Sequence, residues 1–138
     1  MDTQVNTPGK GLLIAAGVLM LIFGTIELIS TVILSNTSFS ARIALERVIG
    51  MQLGTIVFAG FLSAFASIAL GIVAFIYCGK PDKAKYLFLE GIGVLVFQII
   101  LIIAFSRHMG LNILSFLGPA VIVLFIIGAK INKNAHAE

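Results

Sequence analysis

Charge is what this chain has least of. Only 11% of its 138 residues are charged and 59% are hydrophobic, with a mean hydropathy of +1.14; an average soluble domain carries roughly 25% charged residues. Water cannot solvate that much apolar surface, so a bilayer must cover most of it. Tryptophan is absent and cysteine occurs once, at Cys78. A single thiol excludes an intramolecular disulfide, and with two histidines it cannot build a structural zinc site. Also missing are a nucleophile paired with a base, metal-ligand spacing, and a glycine-rich phosphate loop after a strand. No enzyme and no cofactor are therefore expected. The longest polar stretch, SNTSFSARIALER, is too short for a soluble domain.

What is present is a set of apolar runs separated by charge. Residues 12–34 carry one charged residue, Glu27; residues 48–78 carry no charge and end at GKPDKAK; runs follow at about 86–105 and 111–129, before the polar tail KINKNAHAE. Each approaches or exceeds the roughly 20 residues that span a bilayer as a helix. The expectation is an all-α polytopic membrane protein, one transmembrane domain over residues 1–138, with four antiparallel helices. Lysine and arginine set its orientation. With the N-terminus inside, Lys10, Lys80, Lys83, Lys85, Lys130 and Lys133 are cytoplasmic and only Arg42, Arg47 and Arg107 lie outside, a bias for cytoplasmic termini in a cell membrane. Tyr77 and Tyr86 then flank the cytoplasmic turn at headgroup depth. The pI of 9.3 needs no nucleic acid, because lysines at membrane ends meet anionic lipid.

Several local signals carry less. The first run is longer than a signal-peptide core and no small-x-small cleavage site follows it, so it reads as a retained helix. Cys78, beside a membrane end, reads as an unreactive thiol, with palmitoylation the alternative. Asn36-Thr37-Ser38 matches the N-glycosylation pattern, which bears only on a eukaryotic secretory route. Ile72–Ile76 and Ile122–Ile126 echo each other as IVAFI and IVLFI, each ahead of a lysine, a weak sign of two-helix duplication.

Small residues point to packing. Gly60, Ser63, Ser67, Gly71 and Ala74 share one face of the second helix, the kind of seam that lets backbones approach in a membrane. This makes that helix the expected centre of packing, and the seam a candidate surface for a homo-oligomer or a larger membrane complex. Gly50 and Gly54 form a second small pair on another face. Gly118-Pro119 predicts a kink in the fourth helix. Ahead of the second helix, Phe39, Ile43, Leu45, Val48 and Ile49 alternate with polar residues, which predicts an amphipathic lead-in with Arg42 and Glu46 paired at i,i+4.

Glu27 is the chemical question. It shares a face with Leu13, Gly17, Met20, Gly24 and Thr31, and the glycines open space on its own side, so it is expected to point into the bundle. An ionised carboxylate facing lipid at mid-bilayer would cost about 2.5–3.5 kcal/mol. At 1.5 Å per residue, Glu27 lies roughly 10 Å below the outer boundary. Counted the same way, Gln52, Thr55, Gln98 and Ser115 fall in the same half, which predicts a polar layer with Arg47 or His108 approaching from the outer surface. Three readings of that layer stand: hydrogen bonds that fix helix register, a proton-exchanging carboxylate of a small transporter, or a groove for a partner's membrane helix or for lipid. Elsewhere, Glu90 reads as dipole-stabilised near Lys83 and Lys85 and Asp82 as the N-cap of the third helix, while His108 and His136 read as solvated.

Four helices with a lone glutamate, Glu27, in the first resemble the small multidrug resistance transporters, and the likeness implies a carboxylate that binds substrate and proton in turn. The chain departs from them in lacking Trp, in its long first loop and in a charge bias that argues against dual topology. Glu46-Arg47-Val48 is similar to a short motif of the MAPEG family of glutathione-using enzymes, but the polar residues that follow it there are replaced by Gly50-Met51-Gln52-Leu53-Gly54. The whole chain, with GKPDKAK between helices two and three, looks like the uncharacterised small four-helix membrane proteins of bacteria, a likeness that implies no activity. The leading expectation is a non-enzymatic bundle that self-associates or binds a membrane partner; the alternative is a small proton-coupled transporter using Glu27.

Overall fold

A computed structural model describes residues 7–109 and 113–135. Among the described residues the chain is all-α, with five α-helices, two short 3-10 turns and no strand. The helices are α1 (Lys10–Ser35), α2 (Phe39–Ile49), α3 (Leu53–Tyr77), α4 (Ala84–Met109) and α5 (Leu117–Ala135). All but α2 are long and apolar enough to cross a membrane. Their outer faces carry exposed Ile22, Ile29, Ile33, Phe58, Phe65, Ile100 and Ile103, side chains that a bilayer accommodates and water does not.

Within such helices polar side chains must find partners locally. Thr25 donates to the Leu21 carbonyl (2.7 Å), Ser30 to Ile26 (2.8 Å) and Thr31 to Glu27 (2.8 Å), so these hydroxyls are satisfied inside α1. The helix stops where Asn36 and Thr37 turn their side chains back onto the Val32 and Leu34 carbonyls.

The span expected over 48–78 is broken. Gly50, at φ +70°, caps α2 in the left-handed region that glycine adopts without strain, and its N–H bonds the Glu46 carbonyl. Gln52 is extended, and α3 starts at Leu53, whose N–H donates to Glu46 Oε1 (2.8 Å). The same carboxylate oxygen accepts from Arg42 Nε at 3.2 Å, the i,i+4 pair anticipated from sequence. The amphipathic lead-in is thus a separate helix, with no buried residue and with Phe39 and Val48 78% and 87% exposed. Gly50 and Gly54 do not pair as a packing face, since Gly50 lies in the elbow and Gly54 faces Arg42.

Two further boundaries differ. Asp82 does not cap α4: it sits in a 3-10 turn, Pro81–Lys83, with its carboxylate 3.9 Å from Lys83 Nζ. The fourth span starts at Leu117, not near 111, so Pro119 falls in the first turn of α5. There its missing N–H costs no internal bond, and it begins the helix rather than kinking one.

The tightest packing joins α1 to α3. Gly17 lies against Gly71 and Ala74, Gly24 against Ala64 and Ile68, and Thr31 against Gly60, so contacts descend α3 as they ascend α1. A Cβ on Gly17 would stand 3.0 Å from Ala74 Cβ and 3.1 Å from the Gly71 carbonyl oxygen. The glycines of the α3 seam are therefore covered by the chain's own first helix. Along α4 and α5, Gly91 meets Phe125 and Ile126, and Gln98 meets Gly118.

One half of the bundle is solid. Leu13, Ala16, Met20, Leu70, Ala74, Leu87, Val121, Ile122, Phe125 and Ala129 form a continuous buried core near the ends of the chain. Cys78 belongs to it, buried and donating to the Phe75 carbonyl, which removes the exposed thiol that palmitoylation would need. At its edge Asn132, 1% exposed, joins three helices: Oδ1 accepts from the Gly9 N–H ahead of α1 (2.7 Å), and Nδ2 donates to the Cys78 carbonyl after α3 (3.2 Å).

Two outcomes are expected. Asn132→Leu strands the Gly9 N–H and the Cys78 carbonyl and should lower stability by about 1–3 kcal/mol, read as a lower thermal midpoint of the detergent-solubilised protein. The second concerns Glu46, whose bonds to the Leu53 N–H and to Arg42 hold its carboxyl below its ordinary value of 4.5. A depressed carboxyl stabilises the elbow fully above pH 4.5, and that stabilisation is lost as pH falls through the lowered value. Hydrogen exchange at the Leu53 amide should lose protection over that acid range in the unaltered protein and show no such step in Glu46→Gln.

Candidate functional site

Beyond Met20 and Val121 the packing opens. A cavity of about 440 Å³ lies in the half of the bundle nearest the α2–α3 elbow. Phe23, Ile26 and Glu27 of α1 form one wall, Ile56 to Ser63 of α3 a second, and Gln98 to Ser106 of α4 a third. Ser115, in the 3-10 turn Ile113–Phe116, and Leu117 to Pro119 of α5 complete it. The cavity exists because α1 and α3 touch through glycines while bulky residues, Phe23, Ile102 and Phe105, line its perimeter. Its size falls within the roughly 300–1,000 Å³ of ligand pockets, and it has their usual character, apolar walls with a few polar groups.

Glu27 reaches this space because its helical face is held inward: Leu13, Gly17, Met20, Gly24 and Thr31, its partners at three- and four-residue steps, are all buried against α3 or the core. Glu27 and Ser63 both line this cavity. Among the described residues no lysine, arginine or histidine forms an ion pair with Glu27; the ion pairs are Arg42–Glu46 and Lys83–Asp82. Arg47 is exposed on α2, and His108 stands beside Gly50 at the elbow, so neither approaches the glutamate as anticipated.

Of the anticipated polar layer, Glu27, Gln98 and Ser115 come together and Gln52 and Thr55 do not. The broken second span explains the difference. Gln52 becomes the residue before α3 and Thr55 part of its first turn, both exposed at the helix start and outside the cavity. Ser63 takes their place, deeper on the same helix. Ser67, one turn further, accepts a hydrogen bond from Gln98 Nε2 at 3.2 Å and so links α3 to α4. Gly60 packs on Thr31, and Gly71 on Gly17 and Leu21. The seam residues thus divide between packing and the polar site, where the sequence pattern suggested packing alone.

Gln98 is 7% exposed, and its Oε1 is buried without a donor among the described residues. Ser106, by contrast, spends its hydroxyl on the Ile103 carbonyl (2.8 Å). Asn132 was missed as a buried group because lysines surround it, although it continues the stripe Val121, Phe125, Gly128 at helical spacing. Among the described residues no cluster of His, Cys, Asp and Glu could hold a metal ion. Compared with known protein families, characterised proteins and solved structures, the chain matches none.

The cavity and the core should differ in reactivity. In a Cys78→Ser background, Ser63→Cys should react with a small thiosulfonate reagent about tenfold or more faster than Ala16→Cys, which lies in the closed core, because reaction follows access.

Proposed function

We propose that this protein is a non-enzymatic multi-pass membrane bundle that takes a small ligand into the cavity at the α2 end, with Glu27 exchanging a proton as the ligand enters and leaves. The observation that carries this reading is the cavity itself: segments of four helices converge there on a carboxylate that has no ion-pair partner among the described residues. A glutamate kept only to fix register would be packed and paired. This one borders unfilled space, and an intramembrane carboxylate of that kind is a place for proton or substrate exchange. The likeness to small multidrug resistance transporters, resting on Glu27 in the first of four spans, is in keeping with it.

On this reading the lysine bias corresponds to cytoplasmic termini in a cell membrane, and the cavity then lies in the outer half of the bundle. The closed core between Leu13 and Phe125 is the barrier that a transport cycle would have to open. Self-association through the α3 seam loses its support, because α1 covers its glycines while Ser63 lines the cavity and Ser67 bonds Gln98 of α4.

In proteoliposomes under a proton gradient, the unaltered protein should move a small organic cation and Glu27→Gln should reduce flux about tenfold or more, with the thermal midpoint retained. Equal flux in the two proteins would refute the reading.

A further inference from the structure

A second, smaller cavity lies at the other end of the bundle, where α3 gives way to α4. Its volume is about 230 Å³, and it is lined by Tyr77, Lys83, Tyr86, Leu87 and Glu90. The last four recur at three- and four-residue steps, so the 3-10 turn and the first two turns of α4 present them as one stripe. Leu87 belongs to the buried core and Tyr86 is 62% exposed, so the cavity runs from the core to the surface. Glu90 is the member that the fold does not explain. It is exposed, and it lies beyond the first turn of α4, where free backbone amides would favour a negative charge. Among the described residues it has no ion-pair partner; the pairs are Arg42–Glu46 and Lys83–Asp82. Lys83 and Glu90 thus border one cavity as opposite charges that do not meet.

Both charges are within reach of one small group. Lys83 Nζ lies 5.6 Å from the centre of the Tyr86 ring, so the lysine is folded along the stripe in the direction of Glu90. One helical turn, about 6 Å along the axis, separates Tyr86 from Glu90. The Lys83 contact with Asp82, 3.9 Å, is longer than the about 2.7–2.9 Å of a charge-assisted bond, which leaves the ammonium free for another anion. On the facing wall, Lys80 Nζ stands 5.3 Å from the centre of the Tyr77 ring. We propose that this cavity seats the headgroup of a bilayer lipid carrying phosphoethanolamine, its phosphate held by Lys83 and its ammonium by Glu90. Two carbons link the two charges of that headgroup, a span that matches one helical turn. Lys80 and Lys83 balance Asp82 and Glu90, so a headgroup without net charge is the complement. An anionic headgroup would bring no cation to Glu90, and a phosphocholine would turn methyl groups toward a carboxylate that accepts N–H donors. A lipid is the occupant because the cavity lies at the ends of two apolar spans, where tyrosines settle at headgroup depth. This site is separate from the cavity that Glu27 borders.

The test is native mass spectrometry of the full chain in detergent, titrated with phosphatidylethanolamine, phosphatidylcholine and phosphatidylglycerol of identical acyl chains, and with free phosphoethanolamine. The unaltered protein should bind phosphatidylethanolamine about threefold or more tighter than the other two lipids, the scale of an exposed ion pair. Glu90→Gln should remove that preference, and Lys83→Gln should weaken phosphatidylethanolamine. Glu90→Lys, which leaves the cavity wholly basic, should turn the preference toward phosphatidylglycerol. Both side chains are exposed, so the thermal midpoint should be retained in all three variants. Equal affinities in the unaltered protein, or a preference for phosphatidylethanolamine that survives both Glu90 substitutions, would overturn the proposal. A preference of the unaltered protein for phosphatidylglycerol would overturn the zwitterionic headgroup in favour of an anionic one. Free phosphoethanolamine binding as tightly as the lipid would overturn the bilayer as its source.

Discussion

The close approach of α1 and α3 is the constraint on which the other features depend. In a membrane no hydrophobic force draws helices together, so association rests on van der Waals contact, and contact is densest where side chains are smallest. Gly17 against Gly71 and Ala74, and Gly24 against Ala64, bring two backbones together over several turns. This pairing holds the Glu27 face of α1 inward and leaves Ser67 to bond Gln98 of α4. Because α1 and α3 are in contact, space is left on the other side of Glu27, where the larger side chains of α4 and α5 do not close it.

The two halves of the bundle consequently differ in kind. Near the chain ends, Leu13, Met20, Leu70, Ile122 and Phe125 fill the interior with close-packed hydrocarbon. Toward the elbow the interior is a cavity with polar groups from separate helices. Polar residues cluster where packing is incomplete for a physical reason: a buried carboxylate or amide needs partners or space, and a filled apolar core offers neither. The closed half supplies the rigidity that an unfilled cavity cannot provide for itself.

The apolar spans and the inward face of Glu27 were readable from sequence because both are local and periodic. Leu13, Gly17, Met20, Gly24 and Thr31 recur at helical spacing, and their burial follows from that spacing. The convergence of Glu27, Gln98 and Ser115 could be anticipated from depth alone. The exclusion of Gln52 and Thr55 could not, because it depends on the elbow. There a glutamate reaches seven residues ahead to Leu53, and Gly50 adopts a left-handed conformation inside what looks like continuous apolar sequence. Gly118-Pro119 misled in the same way, since the same dipeptide kinks a helix in its middle and starts one at its first turn. Asn132 was hidden by its lysine neighbours, and its partners lie 54 and 123 residues away.

That last separation bears on how the molecule is made. The bond between Gly9 and Asn132 joins residues 123 positions apart, and the residue that closes it is made only after α1 to α4. The α1–α3 pair can form once both helices have entered the membrane. The Gly9 N–H has to wait for α5, because its partner does not yet exist. A chain released before residue 132 would carry the paired helices without their fastening and would expose that opening to whatever surveys unfinished membrane proteins. Asn132 therefore registers the arrival of α5, an atom-level difference between the α1–α3 pair alone and the pair fastened by its later helix.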